Sequence, residues 1–124
     1  VTVWLLRETV LAIQDEQLAE HGGAAGVRDE GLLESALARP LDLGAYGQPD
    51  VAELAATYAL GITRNRPFVG GNKRNAYVAL ETFIRVNGLR FPVPDAVAVV
   101  VMQDLAAGEM TDGEFIAWVR ENVA

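Results

Sequence analysis

A chain of 124 residues, half of them apolar, suits one domain spanning 1–124 with a core of its own and leaves no room for a second. A net charge of −7 argues against general nucleic-acid binding, which needs a basic surface, and the lack of cysteine excludes disulfides and thiol chemistry. The single histidine, His21, rules out a histidine-based metal cluster but leaves a carboxylate magnesium site open. No apolar run approaches the ~20 residues that span a bilayer, and no signal peptide is visible. No membrane partner is therefore expected, and a cytoplasmic location is.

The elements follow in chain order. Arg7 to Glu20 reads as a helix with Val10, Leu11, Ile13, Gln17 and Leu18 on one side, stopped by His21-Gly22-Gly23. His21 is a helix-end residue in this reading rather than a catalytic one. Asp29 caps a second helix from Glu30 to Ala38, which Pro40 ends. Arg39 to Pro49 is rich in Pro, Gly and Asp and reads as a loop or short hairpin with Tyr46 exposed. Asp50 caps a third helix, Val51 to Asn65, with Leu54, Tyr58 and Ile62 recurring at helical spacing. A loop, Arg66 to Gly71, leads into a fourth helix from Asn72 to Val86, with Tyr77, Leu80, Phe83 and Ile84 inward and Asn87-Gly88 as its stop. Asp95 caps a fifth helix, Ala96 to Ala107, whose apolar composition predicts a central position. Thr111-Asp112-Gly113-Glu114 is a capping box that opens a last helix with Phe115, Trp118 and Val119 buried. Strand signals are weak throughout, so the fold class is all-α.

The segment from Arg66 to Arg74, Arg-Pro-Phe-Val-Gly-Gly-Asn-Lys-Arg, carries the chemistry. Arg64, Arg66, Lys73 and Arg74 are four of the ten basic residues in an acidic chain. Gly70 and Gly71 free the backbone so that successive N–H groups can point one way. The helix starting at Asn72 adds its unpaired N–H groups and the positive end of its dipole. Lys73 and Arg74 sit in that first turn, where a cation repeats the sign of the dipole. Two cations there make sense in front of an anion, so the segment reads as a phosphate cradle built from Gly70, Gly71, Asn72, Lys73 and Arg74. It is not a Walker-type loop, because Asn72 separates Gly71 from Lys73 and a helix, not a strand, comes before it. Pro67 stiffens the entry, and Phe68 is expected to plug into the core below.

These residues resemble the signature of the Fic/Doc family. The family pattern is His-Pro-Phe, any residue, Asp or Glu, Gly or Ala, Asn, Gly or Lys, Arg. Lys73, and Tyr77 where longer Fic motifs carry a second arginine, point to the Doc (death-on-curing) branch. Gly22-Gly23, Gly26-Val27-Arg28-Asp29, Leu33 to Leu37 and Arg39-Pro40 resemble the upstream Doc pattern, and Phe83, Asn87-Gly88 and Trp118 the downstream one. The resemblance implies a single Fic-fold domain of about six helices, with Arg39 to Pro49 as a flap that holds a target peptide. It implies ATP or another nucleoside triphosphate, with Mg²⁺ in the family, and transfer of a phosphoryl or nucleotidyl group to a protein hydroxyl. For the Doc branch it implies a kinase acting on a threonine of elongation factor Tu, which stops translation. It also implies a cognate antitoxin whose disordered C-terminal segment folds on binding.

The match departs from the family at two positions. Arg66 stands where the family has its catalytic His, and Gly70 where it has the acidic residue that helps hold magnesium; Arg74 matches. Arginine stays protonated and cannot act as a general base, a loss of ~10²–10⁴ in rate. Gly70 offers no carboxylate, so no metal ligand is assigned in this chain. The expected function is a Doc-type toxin, inactive or weakened. The alternatives are a pseudoenzyme that binds a nucleotide or protein, an AMP transferase, and an enzyme of altered chemistry with Asp42, Asp50 or Glu53 as base.

Overall fold

Every residue from Leu54 to Thr63 is buried. That unbroken run lies in one helix, which the others surround. The structure is a computed structural model that describes all 124 residues, and it consists of six helices. These are α1 (Arg7–His21), α2 (Glu30–Tyr46), α3 (Val51–Asn65), α4 (Asn72–Val86), α5 (Asp95–Ala106) and α6 (Asp112–Asn122). Helix α3 packs against α2, α4 and α6 and touches α5, while α1 lies on α4. No helix is long and apolar enough to cross a membrane.

Small residues let the neighbours of α3 come close. Ala52, Ala55, Ala56 and Ala59 are all buried. At Gly61 a Cβ would stand 3.1 Å from the Cα and Cβ of Ala36, so α2 and α3 are in backbone contact there. Larger groups fill the space beside them. Tyr58 and Phe83 are fully buried with ring centroids 5.1 Å apart, and the Tyr58 hydroxyl accepts the Leu5 N–H at 3.1 Å.

Three helix starts carry the caps expected of them. Asp29 accepts from the Leu32 N–H and Asp50 from the Glu53 N–H, while Thr111 and Glu114 exchange hydrogen bonds as a capping box. The bounds of α3 and α4 are as expected, and α1 runs one residue further, to His21.

Two expectations need correction. Helix α2 does not end at Pro40 but continues to Tyr46, so most of the expected flap, Arg39 to Pro49, is helical rather than a loop or hairpin. Pro40 removes one N–H and crowds the preceding turn. Packing beyond it overrides that penalty: Pro40 is buried, Leu43 packs on the core, and Gly44 sits under Trp4 so closely that a Cβ would come within 2.8 Å of the indole. Tyr46, at the end of this helix, is exposed as expected. Helix α5 is not central. Ala98, Val101, Met102 and Leu105 face inward, but Val97, Val99 and Val100 are exposed. Its apolar composition reflects an uncovered outer face rather than a buried position. Asp95 is its first residue, and Pro94 occupies the cap.

Candidate functional site

The segment between α3 and α4 is built on a strained turn. Arg66 ends α3 in the left-handed conformation, φ 48° and ψ 56°, and is the only non-glycine residue with positive φ. Its N–H bonds back to the Ile62 carbonyl at 3.0 Å. Arg28 secures the same end from the other side. Its Nε donates to the Arg66 carbonyl at 2.8 Å and its Nη2 to the Asn65 carbonyl at 2.9 Å. A guanidinium on the last carbonyls of α3 also complements the negative end of that helix.

The loop then runs beside the segment that connects α1 to α2. Val27 and Phe68 form an isolated antiparallel bridge, and the Pro67 carbonyl accepts from the N–H groups of Arg28 and Asp29. The Val69 N–H donates to the Gly26 carbonyl at 3.0 Å. Phe68 is fully buried, so it anchors the loop as expected.

At the far end, Gly71 takes φ 73°, while Gly70 has no positive φ. The conformational freedom expected of both glycines is therefore used by Gly71 alone. The backbone N–H groups of Gly70, Gly71, Asn72, Lys73 and Arg74 find no acceptor in the protein. Consecutive unpaired donors at a helix start are groups that an anion can satisfy.

The side chains divide into holders and facers. The Asn72 side chain is turned back on the loop. Its Oδ1 accepts the Phe68 N–H and its Nδ2 donates to the Phe68 carbonyl, both at 3.0 Å. Asn72 thus offers an anion its backbone N–H, while its amide keeps the loop closed. Arg66, Lys73 and Arg74 border one cavity of about 410 Å³ together with Gly70 and Gly71. None of the three cations is paired with a carboxylate. Arg64, the fourth basic residue of the cluster, points elsewhere: it donates to the Leu105 carbonyl and to Asp112, tying α3 to α5 and α6.

Thr63 was not evident as a site residue. It lies on α3, three residues before Arg66 and so on the same face. It is 7% exposed, borders the cavity, and its hydroxyl has no hydrogen-bond partner. A threonine inside an otherwise apolar run reads as core, and nothing in its spacing marks it. Arg28 was visible only as part of a resemblance, since its hold on Arg66 crosses 38 positions of sequence.

The donor set does not fit a divalent cation. No carboxylate borders the cavity, and no group of three acidic or histidine residues converges anywhere in the chain. His21 is exposed at the end of α1 beside Glu20. Asp50 caps α3 and is bound by Arg120, which holds its carboxyl below the usual carboxylate range. None of Asp42, Asp50 and Glu53 borders the loop cavity.

A second cavity of about 460 Å³ lies between α1, α4 and α5 and shares Lys73 and Arg74 with the first. Tyr77 borders it with its hydroxyl buried and unpartnered. Burial pushes the Tyr77 phenol well above its ordinary range, and the nearby Glu81 and Asp95 add to the effect. Burial also raises Glu81, against the pull of Arg85. The two cavities share the first turn of α4, where Lys73 and Arg74 border both.

The model of the Fic/DOC family matches residues 4–84, which takes in the loop and the first turns of α4. The chain is 38% identical over 92 residues to the protein named Toxin Doc from Mycolicibacterium smegmatis, covering 73% of this chain and 68% of that one. It is 31% identical over 106 residues to the protein named Protein kinase doc from Escherichia phage P1, covering 84% of this chain and 79% of that one. With its motif at the head of α4 and relatives of this kind matched over most of its length, the chain belongs to the Fic/DOC family.

Proposed function

We propose that this protein is a Doc-type toxin of a toxin–antitoxin module whose site binds the phosphates of a nucleoside triphosphate but transfers a phosphoryl group weakly or not at all. One observation carries the reading: residues with five free backbone N–H groups and three cations unpaired with carboxylates border one cavity whose lining holds no carboxylate and no histidine, while His21, Glu81 and Asp95 border the adjoining cavity instead. Phosphoryl transfer depends largely on positioning and on stabilising charge, and that part of the machinery is present. Arg74 and Lys73 would neutralise the phosphates, and the loop N–H groups would orient them. The acceptor hydroxyl must still lose its proton, and Arg66 cannot take it.

The expected target is a threonine of elongation factor Tu, following the Doc resemblance, which would place the action in the cytoplasm. The expected partner is a cognate antitoxin. The relative named as a toxin supports an antitoxin partner, and the relative named as a protein kinase supports phosphoryl transfer to a protein. No carboxylate borders the loop cavity to meet the family's magnesium.

The two departures from the motif are sterically reversible. A Cβ at Gly70 would meet only Ala24, at 3.4 Å or more, and the φ there is not positive, so Gly70→Asp fits. Histidine is among the residues that accept the left-handed angles Arg66 adopts, so Arg66→His fits as well. The test is mass spectrometry of elongation factor Tu incubated with ATP, Mg²⁺ and either this chain or its Arg66→His, Gly70→Asp variant. The variant is expected to add one phosphate, and the unaltered chain far less, by a factor of ~10²–10⁴. A mass gain of one AMP would instead make it a nucleotidyl transferase. No modification by the soluble, folded variant would overturn the toxin-kinase reading.

A second reading follows from the same geometry. Arg66 and Gly70 affect transfer and leave the cradle intact, which is what a Fic-fold binding module needs. It predicts nucleotide binding without turnover, and calorimetry showing no heat with ATP would sink it.

A further inference from the structure

The loop cavity has the wrong donors for a metal and the right donors for a bare phosphate chain. Arg66 extends from the strained turn at the end of α3, while Lys73 and Arg74 come from the first turn of α4. The three approach one cavity from two helices, and no carboxylate offsets them there. Gly70 brings no side chain to the cavity, and the position of its missing Cβ lies 3.4 Å from the Ala24 carbonyl oxygen. An independent sign of a ligand is Thr63, 93% buried by its 7% exposure, bordering this cavity with a hydroxyl that nothing in the protein accepts from or donates to. A buried hydroxyl without a partner is costly unless a ligand completes it.

We propose that this cavity binds a di- or triphosphate chain without a divalent cation, with Arg66 supplying the positive charge that a metal ion would otherwise supply and the Thr63 hydroxyl donating to a phosphate oxygen. The inference deepens the functional reading above, since it concerns the same phosphate site. A guanidinium is suited to the role. It is always charged, planar and able to donate two parallel hydrogen bonds to phosphate oxygens. Magnesium bound to the phosphates competes for those oxygens and lowers the charge that Arg66, Lys73 and Arg74 meet. The metal should therefore weaken binding rather than promote it.

The phosphate chain could belong to a nucleotide or to inorganic tripolyphosphate, and titration calorimetry separates the two. The protein is titrated with ATP, AMP and inorganic tripolyphosphate, each in EDTA and again in excess magnesium. ATP and tripolyphosphate are expected to bind in EDTA, AMP at least about 10-fold more weakly, and magnesium to weaken the first two several-fold. Equal affinity for ATP and tripolyphosphate identifies the phosphate chain as the whole ligand, and tighter ATP binding adds a nucleoside contact in the adjoining cavity.

Arg66→Ala is expected to weaken binding in EDTA by about 10-fold or more, and Arg66→Lys by less, because the charge stays and the fork is lost. Thr63→Val keeps the shape and removes the hydroxyl, for a loss of about 2- to 10-fold. Arg90→Ala, an exposed arginine away from the cavity, should leave binding unchanged. Binding only in the presence of magnesium, or an Arg66→Ala variant with unchanged affinity, would overturn the proposal while leaving the kinase reading standing. Binding in EDTA by a protein whose Arg66→His, Gly70→Asp variant never modifies elongation factor Tu would do the reverse.

Discussion

Asn72 holds both backbone polar groups of Phe68: its Oδ1 accepts the Phe68 N–H and its Nδ2 donates to the Phe68 carbonyl, each at 3.0 Å. The residue at the head of α4 thus closes the loop that precedes it, and the buried Phe68 ring is clipped in place from above.

Loss of that clip should affect stability and binding together. Asn72→Ala leaves two part-buried backbone groups unpaired, at a cost of about 1–3 kcal/mol. It also releases the loop that carries the unpaired N–H groups. Urea denaturation should show the loss of stability, and the rise in melting temperature caused by added phosphate or ATP should shrink. Unchanged phosphate stabilisation in a destabilised Asn72→Ala protein would show that the clip serves the fold alone.

Arg66 should show the opposite pattern. Its left-handed backbone costs roughly 1–2 kcal/mol for an ordinary residue, whereas asparagine tolerates that conformation. Arg66→Asn also removes one of three neighbouring unpaired cations. The variant should be more stable than the parent by up to about 1 kcal/mol in phosphate-free buffer, yet gain less from added tripolyphosphate. Melting curves with and without the anion measure both. A variant less stable in both buffers would argue that Arg66 is a structural residue.

Glu81 provides a pH signature. Burial raises its pKa in the folded state, so the folded protein holds that proton more tightly than the unfolded chain does. The resulting stability is fully present below the ordinary glutamate range and is lost as pH rises through the folded value. Glu81→Gln, which stays neutral, should therefore be more stable than the parent at pH 7 and nearly equal to it near pH ~3. Denaturation midpoints at the two pH values test this; a constant difference between the proteins would exclude the carboxyl as its source.

The sequence was most legible where a local signal and the tertiary packing agree. Asp50 caps α3, and Asn87 ends α4 just before Gly88, so those helices start and stop as expected. It misled where packing overrode a local signal. Pro40 reads as a terminator, but Leu43 and Gly44 beyond it have places on the core and on Trp4, so α2 continues. The valines of α5 read as interior by composition, although half of that helix faces outward. At the site, Arg66, Lys73 and Arg74 were legible because free cations near a glycine-rich turn have a physical meaning on their own. Arg64 shared that pattern and belongs to the α5–α6 contact. Thr63 and Arg28 act across distances in sequence that periodicity does not report.

Gly70 and Arg66 both lie on the outer strip of the loop, and neither fills space in the core. Phe68 between them carries the packing. Chemistry and architecture are therefore written in alternate letters of one short segment. If the proposed reading holds, a base and a metal ligand could be exchanged for a guanidinium and a glycine, or exchanged back, at positions the core does not use. Catalyst and clamp would then differ by two substitutions, with nothing for the helices around α3 to renegotiate.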